Sequence, residues 1–295
     1  MSTVAHKITT APQFANILFT TDLSPCSELA LPYARAIARL YGSTIHLLHV
    51  TGPEAWVGPL GVPYPHVQDE DLAAQRAMNK LMKSGALEGT LCTRTIMRGE
   101  VWGVVSNMLT YRNIDLIVLG THGYGGLRHV LLGSVAEQIF RHASCPVMTV
   151  GPRTKDGLVK GHLEAIIYAT DFSGTSLGAL PYALSLARAN RAKLKVVHAI
   201  HPIITAEDVM ISHMNELIQN AKQQALRLVE GEPDLDYQVI VQAGTPSEMI
   251  LEIASHTKTD LIVMGAHRGT SSHTPWAVAH RVVCQATCPV LTVRG

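Results

Sequence analysis

Aromatic residues are scarce. Phe, Trp and Tyr make up 5% of the 295 residues, so the core must be packed with aliphatic side chains. Charge is scarce as well: Asp, Glu, Lys and Arg reach 16%, the formal net charge is +1, and hydrophobic residues make up 47%. That balance excludes a disordered chain. Through Gly151 there are 11 basic and 10 acidic residues, and 13 of each afterwards. Neither half carries the positive excess of a nucleic-acid or membrane-surface binder. No run approaches the roughly 18 apolar residues of a membrane span, and Met1 to Ala15 holds no apolar segment of signal-peptide length. Five cysteines form neither a CxxC pair nor an even disulfide framework. The expectation is a cytoplasmic protein with no nucleic acid and no membrane as partner.

What the sequence does contain is itself, twice. Thr21-Asp22-Leu23-Ser24 recurs as Thr170-Asp171-Phe172-Ser173, and Leu31-Pro32-Tyr33-Ala34 as Leu180-Pro181-Tyr182-Ala183. Asp115 to Gly120 recurs as Asp260 to Gly265, and both copies close on Cys-Pro-Val-x-Thr-Val, at Cys145 and Cys288. Four matches in one order mark a tandem duplication. The polar Gly/Pro stretch Gly151–Gly157 reads as a linker, which gives a first domain over 1–151 and a second over 162–295.

Within the first copy, β-branched runs alternate with helical patterns. Strands are expected at Asn16–Thr21, Thr44–Val50, Leu91–Met97, Ile114–Leu119 and Pro146–Val150, with helices at Ser27–Tyr41, Gln68 to about Gly85, a stretch ending at Arg112, and Ser134–His142. Strict β/α alternation implies an α/β fold of two tandem doubly wound domains with parallel sheets. Ligands in such sheets sit at the carboxyl ends of the strands, where the order reverses. There lies Gly120-Thr121-His122-Gly123, and Gly133-Ser134 follows nine residues after Gly123 and opens a helix. Glycines let a backbone approach a phosphate closely or take up positive φ. Ser134 is placed to cap a helix whose free N–H groups and positive dipole end suit an anion. The pattern is not a Walker A loop, since it lacks the Gly-Lys-Ser/Thr ending.

These residues, together with Leu131 to Glu137, Cys145-Pro146-Val147, Thr20 to Ser24 and His49-Val50, resemble the universal stress protein family in its ATP-binding branch. The resemblance covers nearly the whole chain twice. It implies a five-stranded parallel sheet per domain (Rossmann-like) and a stress-response or signalling role that depends on an adenine nucleotide. Carried over, Asp22 and the backbone near Thr21 and Val50 hold the adenosine half. Gly120, His122 and Gly123 line the ribose–phosphate path, Gly133, Ser134 and Val135 meet the phosphates, and Arg128 adds charge. The cofactor implied is ATP, with ADP or AMP and a companion Mg2+ left open. The resemblance also suggests that the closing strands of the two copies meet edge to edge as an internal pseudo-dimer, with a further homodimer open and protein partners unknown.

The second copy departs from the pattern. Its loop reads Gly265-Ala266-His267-Arg268, and Trp276-Ala277 stand where the first copy has Gly133-Ser134. A tryptophan there would fill phosphate space, so this copy is not expected to bind ATP in the family's way. Asp171 survives, as a residue that orders the strand-end turn. His267, Arg268 and His273 offer an alternative ligand set. No metal site is assigned: His46 and His49 lie three apart on a strand and point to opposite faces, as do His198 and His201, and no HExxH occurs. No catalytic residue is assigned either, because no base to position a water stands near the loop. Two alternatives remain: a slow ATPase or nucleotide-cleaving enzyme on this fold, and a nucleotide-free interaction module. Gly58 to Pro65 is read as a surface loop.

Overall fold

The computed structural model describes residues 12–52, 66–121, 132–154, 161–201, 207–232, 234–266 and 275–294. Two compact units divide the chain, one built on Phe14–His162 and the other on Leu163–Val282.

In the first half the elements run β1 (Asn16–Thr20), α1 (Pro25–Glu28), α2 (Leu31–Tyr41), β2 (Thr44–Thr51), α3 (His66–Lys83), β3 (Leu91–Arg98), α4 (Val101–Tyr111), β4 (Leu116–Gly120), α5 (Ser134–His142) and β5 (Val147–Val150). The second half repeats them as β6 (Ala165–Ala169), α6 (Gly174–Asn190), β7 (Lys193–Ile200), α7 (Glu207–Arg227), β8 (Tyr237–Ala243), α8 (Pro246–His256), β9 (Leu261–Ala266), α9 (Pro275–Gln285) and β10 (Val290–Arg294). Strand order is β3-β2-β1-β4-β5 in the first half and β10-β9-β6-β7-β8 in the second. β1 runs parallel to β2 and β4, and β6 to β7 and β9. The fold is therefore α/β and doubly wound, as the alternation implied, and the order reverses between β1 and β4, and again between β6 and β9.

The central strands explain the composition. Ile17, Leu18 and Phe19 of β1 and Leu116, Ile117 and Val118 of β4 are fully buried, as are Ile166, Ile167 and Tyr168 of β6. Helices cover both faces, so these strands read as unbroken apolar runs instead of alternating ones. Tyr168 brings a hydroxyl into this core and satisfies it by donating to Ser176 O at 2.8 Å. An acidic residue before the fourth strand of each half pins the start of the first. Asp115 accepts from the amides of Ala15 and Asn16, and Asp260 from those of Glu164 and Ala165.

One expected helix is two. Ser27–Tyr41 breaks at Leu29–Ala30, and Pro32 lies in the first turn of α2, where its missing N–H forfeits no helical bond. The second copy keeps its matching proline, Pro181, inside the continuous α6.

Candidate functional site

The carboxyl ends of β1, β2 and β4 meet at the reversal point. The turn after β1 is a tight polar knot. Thr21 N donates to Leu48 O at 3.0 Å, and Thr21 Oγ1 shares a hydrogen bond with Ser27 Oγ at 2.8 Å and accepts from Leu23 N at 2.9 Å. Asp22 Oδ1 accepts from Ser24 N at 3.0 Å, and Ser24 Oγ caps α1 by accepting from Ser27 N at 3.1 Å. This mutual bonding holds Leu23 at φ 62°, a left-handed conformation unusual for a bulky residue. His49, on β2, donates from Nδ1 to Thr21 O at 2.8 Å.

The second copy reproduces the knot bond for bond. Thr170 Oγ1 meets Ser176 Oγ at 3.0 Å, Asp171 Oδ1 accepts from Ser173 N at 3.0 Å, His198 Nδ1 donates to Thr170 O at 2.8 Å, and Phe172 sits at φ 61°. Asp171 does order the turn, as its sequence position suggested. Asp22 does the same work, so its presence is explained before any ligand is invoked.

Gly120 ends β4. A Cβ there would lie 3.0 Å from Ser27 Cα and 3.1 Å from Cys26 O. Gly265, its counterpart on β9, would meet Ser176 Cα and N at 2.8 Å. The glycine at this point therefore serves close packing of the first helix on the strand in both copies. Neither Gly120 nor Gly133 has positive φ, so left-handed freedom is not why these two are glycine. Close approach is.

The helix start differs from expectation in one respect. Gly133, not Ser134, is the N-cap of α5, with φ −60° and ψ 148°, and no side chain among the described residues caps the helix. Ser134 falls in the first helical position and is exposed, and Val135 beside it is 36% exposed. The cap is held by backbone alone: Gly133 N donates to Thr121 O at 2.8 Å, and Thr121 N to Val150 O at 3.0 Å. A Cβ on Gly133 would press Thr121 O at 3.3 Å. Glu137, in the first turn, pairs with Arg141 one turn on, which accounts for it structurally.

In the second copy the corresponding helix α9 begins at Pro275, which stands where Leu132 stands in the first. It starts two residues earlier relative to the repeat, and a proline with no N–H occupies its first position. Trp276 lies inside that helix instead of at its cap.

Of the residues singled out in the sequence, the structure brings Thr21, Asp22, Val50 and Gly120 to the same strand ends, with Gly133 bonded to Thr121 directly beyond β4 and Ser134 and Val135 following it. His122, Gly123 and Arg128 lie outside the described residues, as do His267, Arg268, His273 and the segment Gly58 to Pro65. Thr51 adjoins Val50; it is 7% exposed, and its hydroxyl has no hydrogen-bond partner among the described residues. Nothing in a strand-end threonine distinguishes it before its burial is seen. Burial raises the thiols of Cys92 and Cys284, and lifts that of Cys145, with Asp115 nearby, to about 12. Those three cysteines stay protonated and unreactive at neutral pH. No described helix is long and apolar enough to cross a membrane.

The Universal stress protein family pattern matches residues 13–151 and again 162–294. The chain belongs to the universal stress protein family. A universal stress protein of Mycolicibacterium smegmatis is 28% identical, covering 94% of this chain and 96% of its own length. One from Methanocaldococcus jannaschii is 29% identical over 145 residues, 48% of this chain and 85% of its own length. Among solved structures, a universal stress protein from Archaeoglobus fulgidus superposes with a TM-score of 0.69 at 19% identity, covering 96% of this chain and 99% of that one. That likeness concerns fold. Together with the two family matches it identifies a tandem universal stress protein, with the stress-response role its family name carries.

Proposed function

We propose that the first repeat of this universal stress protein binds ATP, and that occupancy biases conformation or partner contacts in a cytoplasmic stress response. The observation that carries the reading is the uncapped start of α5: Gly133 offers no side chain, and exposed Ser134 and Val135 follow it, at the carboxyl end of β4 where the strand order reverses. Backbone amides at a helix start, reached over a glycine, suit phosphate without a lysine. The assignment is Thr21, Asp22 and Val50 toward the adenosine, Gly120, His122 and Gly123 along the ribose–phosphate path, and Gly133, Ser134 and Val135 at the phosphates with Arg128 adding charge. ADP or AMP would use the same adenosine contacts, and Mg2+ would accompany a triphosphate.

The same reading takes residues 1–151 as the nucleotide-binding domain and 162–295 as a domain with a degenerate loop. In the second, an earlier helix start and a proline replace the open cap. Isothermal titration is expected to give one ATP per chain. Two sites, or none, would overturn the asymmetry. Binding must also raise the melting temperature by linkage. Steady turnover of about 1 per second or faster, in the range of ordinary enzymes, would replace a binding role by a catalytic one.

A further inference from the structure

The two outer strands of the described sheets are unlike. β3, at one end of its sheet, carries Arg94 and Arg98, the second paired with Asp71 at 2.7 Å. Charge on an edge strand is a common guard against pairing with another chain. β8, the last strand of its own sheet, has no such guard. It reads Tyr237-Gln238-Val239-Ile240-Val241-Gln242-Ala243, with no charge and no proline, and none of its seven residues is fully buried.

This strand is nearly a palindrome about Ile240. Val239 mirrors Val241, and Gln238 mirrors Gln242. A two-fold axis at Ile240 therefore sets valine against valine and glutamine amide against glutamine amide. Asp236 then falls opposite Gly244, so no like charges meet. The backbone agrees with that axis. Leu194 N donates to Asp236 O, and Gly244 N donates to Ile200 O, so the even-numbered residues turn their peptide groups inward to β7. In a ladder the alternate residues, Tyr237, Val239, Val241 and Ala243, then turn theirs outward. An antiparallel copy placed on Ile240 pairs Val239 with Val241 and Tyr237 with Ala243, each exchanging both N–H···O bonds. Ile240 faces its own copy as the non-hydrogen-bonded pair.

We propose that β8 is a homodimerisation edge: two copies of this chain add their β8 strands antiparallel about Ile240. A self-matching strand is what an isologous two-fold contact requires. The proposal concerns only the second half and stands whether or not the first binds nucleotide.

The test uses the full-length chain. Sedimentation at about 50–100 µM, a range that populates dimers of micromolar affinity, is expected to give twice the 31.9 kDa chain mass. Ile240→Lys, which sets two ammonium groups face to face, is expected to return the monomer with an unchanged circular dichroism spectrum. Ile240→Cys supplies an independent arm, because a residue on the axis faces itself at about 4.5 Å between Cα atoms, within disulfide reach. Under mild oxidation it should cross-link at least tenfold more than the parent chain with its own five cysteines, and more than Gln242→Cys, which faces Gln238. A monomeric parent, a dimer unaffected by Ile240→Lys, or equal cross-linking in all three proteins would each overturn the proposal.

Discussion

The two halves of this chain share one turn and differ at one helix. The knot after the first strand is kept bond for bond, down to the left-handed Leu23 and Phe172 and the histidine that donates into the turn. Gly120 and Gly265 are both held against the backbone of the first helix. Past that point the halves part. α5 opens on an uncapped glycine and an exposed serine, whereas α9 opens two residues sooner on a proline. What is shared is the turn after the first strand, and what differs is the helix start that follows the fourth. A residue that matches in both copies, as Asp22 matches Asp171 and Gly120 matches Gly265, has the same structural role in each. The halves are therefore distinguished at Gly133, Ser134 and Val135, and not at Asp22 or Gly120.

The most severe way to break the contrast is to import it. Gly133→Trp places the second copy's residue at the cap of α5, where even a Cβ lies 3.3 Å from Thr121 O. ATP affinity should fall on the order of 100-fold or more, about 2.7 kcal/mol, with the far-ultraviolet spectrum preserved. Affinity within a few-fold of the parent would remove the phosphate assignment. The reverse exchange, Trp276→Gly with Ala277→Ser, should not create a second site, because Pro275 still opens that helix; titration stoichiometry reads this directly.

Next in size are the strand-end glycines. Gly265→Ala drives a methyl to 2.8 Å from backbone atoms of Ser176, and Gly120→Ala to 3.0 Å from Ser27 Cα. Overpacking of this kind costs about 1–3 kcal/mol. The Gly265 variant should lose more, and thermal melts of the two proteins without nucleotide measure it. Equal losses would contradict the packing account. Asp115→Ala and Asp260→Ala remove the clamp on the first strand of each half. Each should cost about 1–2 kcal/mol for amides left without an acceptor, less where Ala15 and Glu164 reach water. Denaturant titration checks both.

Most of the fold was legible in the sequence because duplication displayed it twice and buried parallel strands write themselves as apolar runs. Ser134–His142 was placed to the residue. The broken helix at Leu29–Ala30 was not, since Pro32 and Pro181 are the same residue at the same place and only one stands in the first turn of its helix. The glycine motif was legible in the sequence, while the packing reasons for Gly120 and Gly133 were not. Glycine at 120 is demanded by a neighbouring helix that no local pattern reveals, and the cap fell to Gly133 because its backbone is tied to Thr121 O. Asp22, Asp115 and Glu137 each have partners within the protein: the Ser24 amide, the Ala15 and Asn16 amides, and Arg141. Thr51 emerged only from its burial.

The smallest expected effect separates the halves by pH. His46 and Lys195 occupy the same register, opposite Leu18 and Ile167. His46 is buried between Thr93 Oγ1 at 2.9 Å and Asn16 Oδ1 at 3.0 Å, and burial, reinforced by Arg112, lowers its pKa. Lys195 is lowered by burial and by Lys193, against the opposing pull of Asp260. Both folded pKa values lie below the unfolded ones, so in both cases the unfolded chain binds the proton more readily and stability rises with pH. The windows differ. For His46 the loss begins as pH falls through the ordinary histidine value near 6.5. For Lys195, with its ordinary value near 10.4, the loss begins as pH falls through that alkaline range. Lys195→Met should therefore change the melting temperature equally at pH 7.5 and 5.5. His46→Gln forfeits the neutral ring's hydrogen bonds at pH 7.5 but also removes the acid penalty, so its deficit should shrink at pH 5.5. If the His46→Gln deficit were the same at both pH values, burial would not be holding this ring neutral.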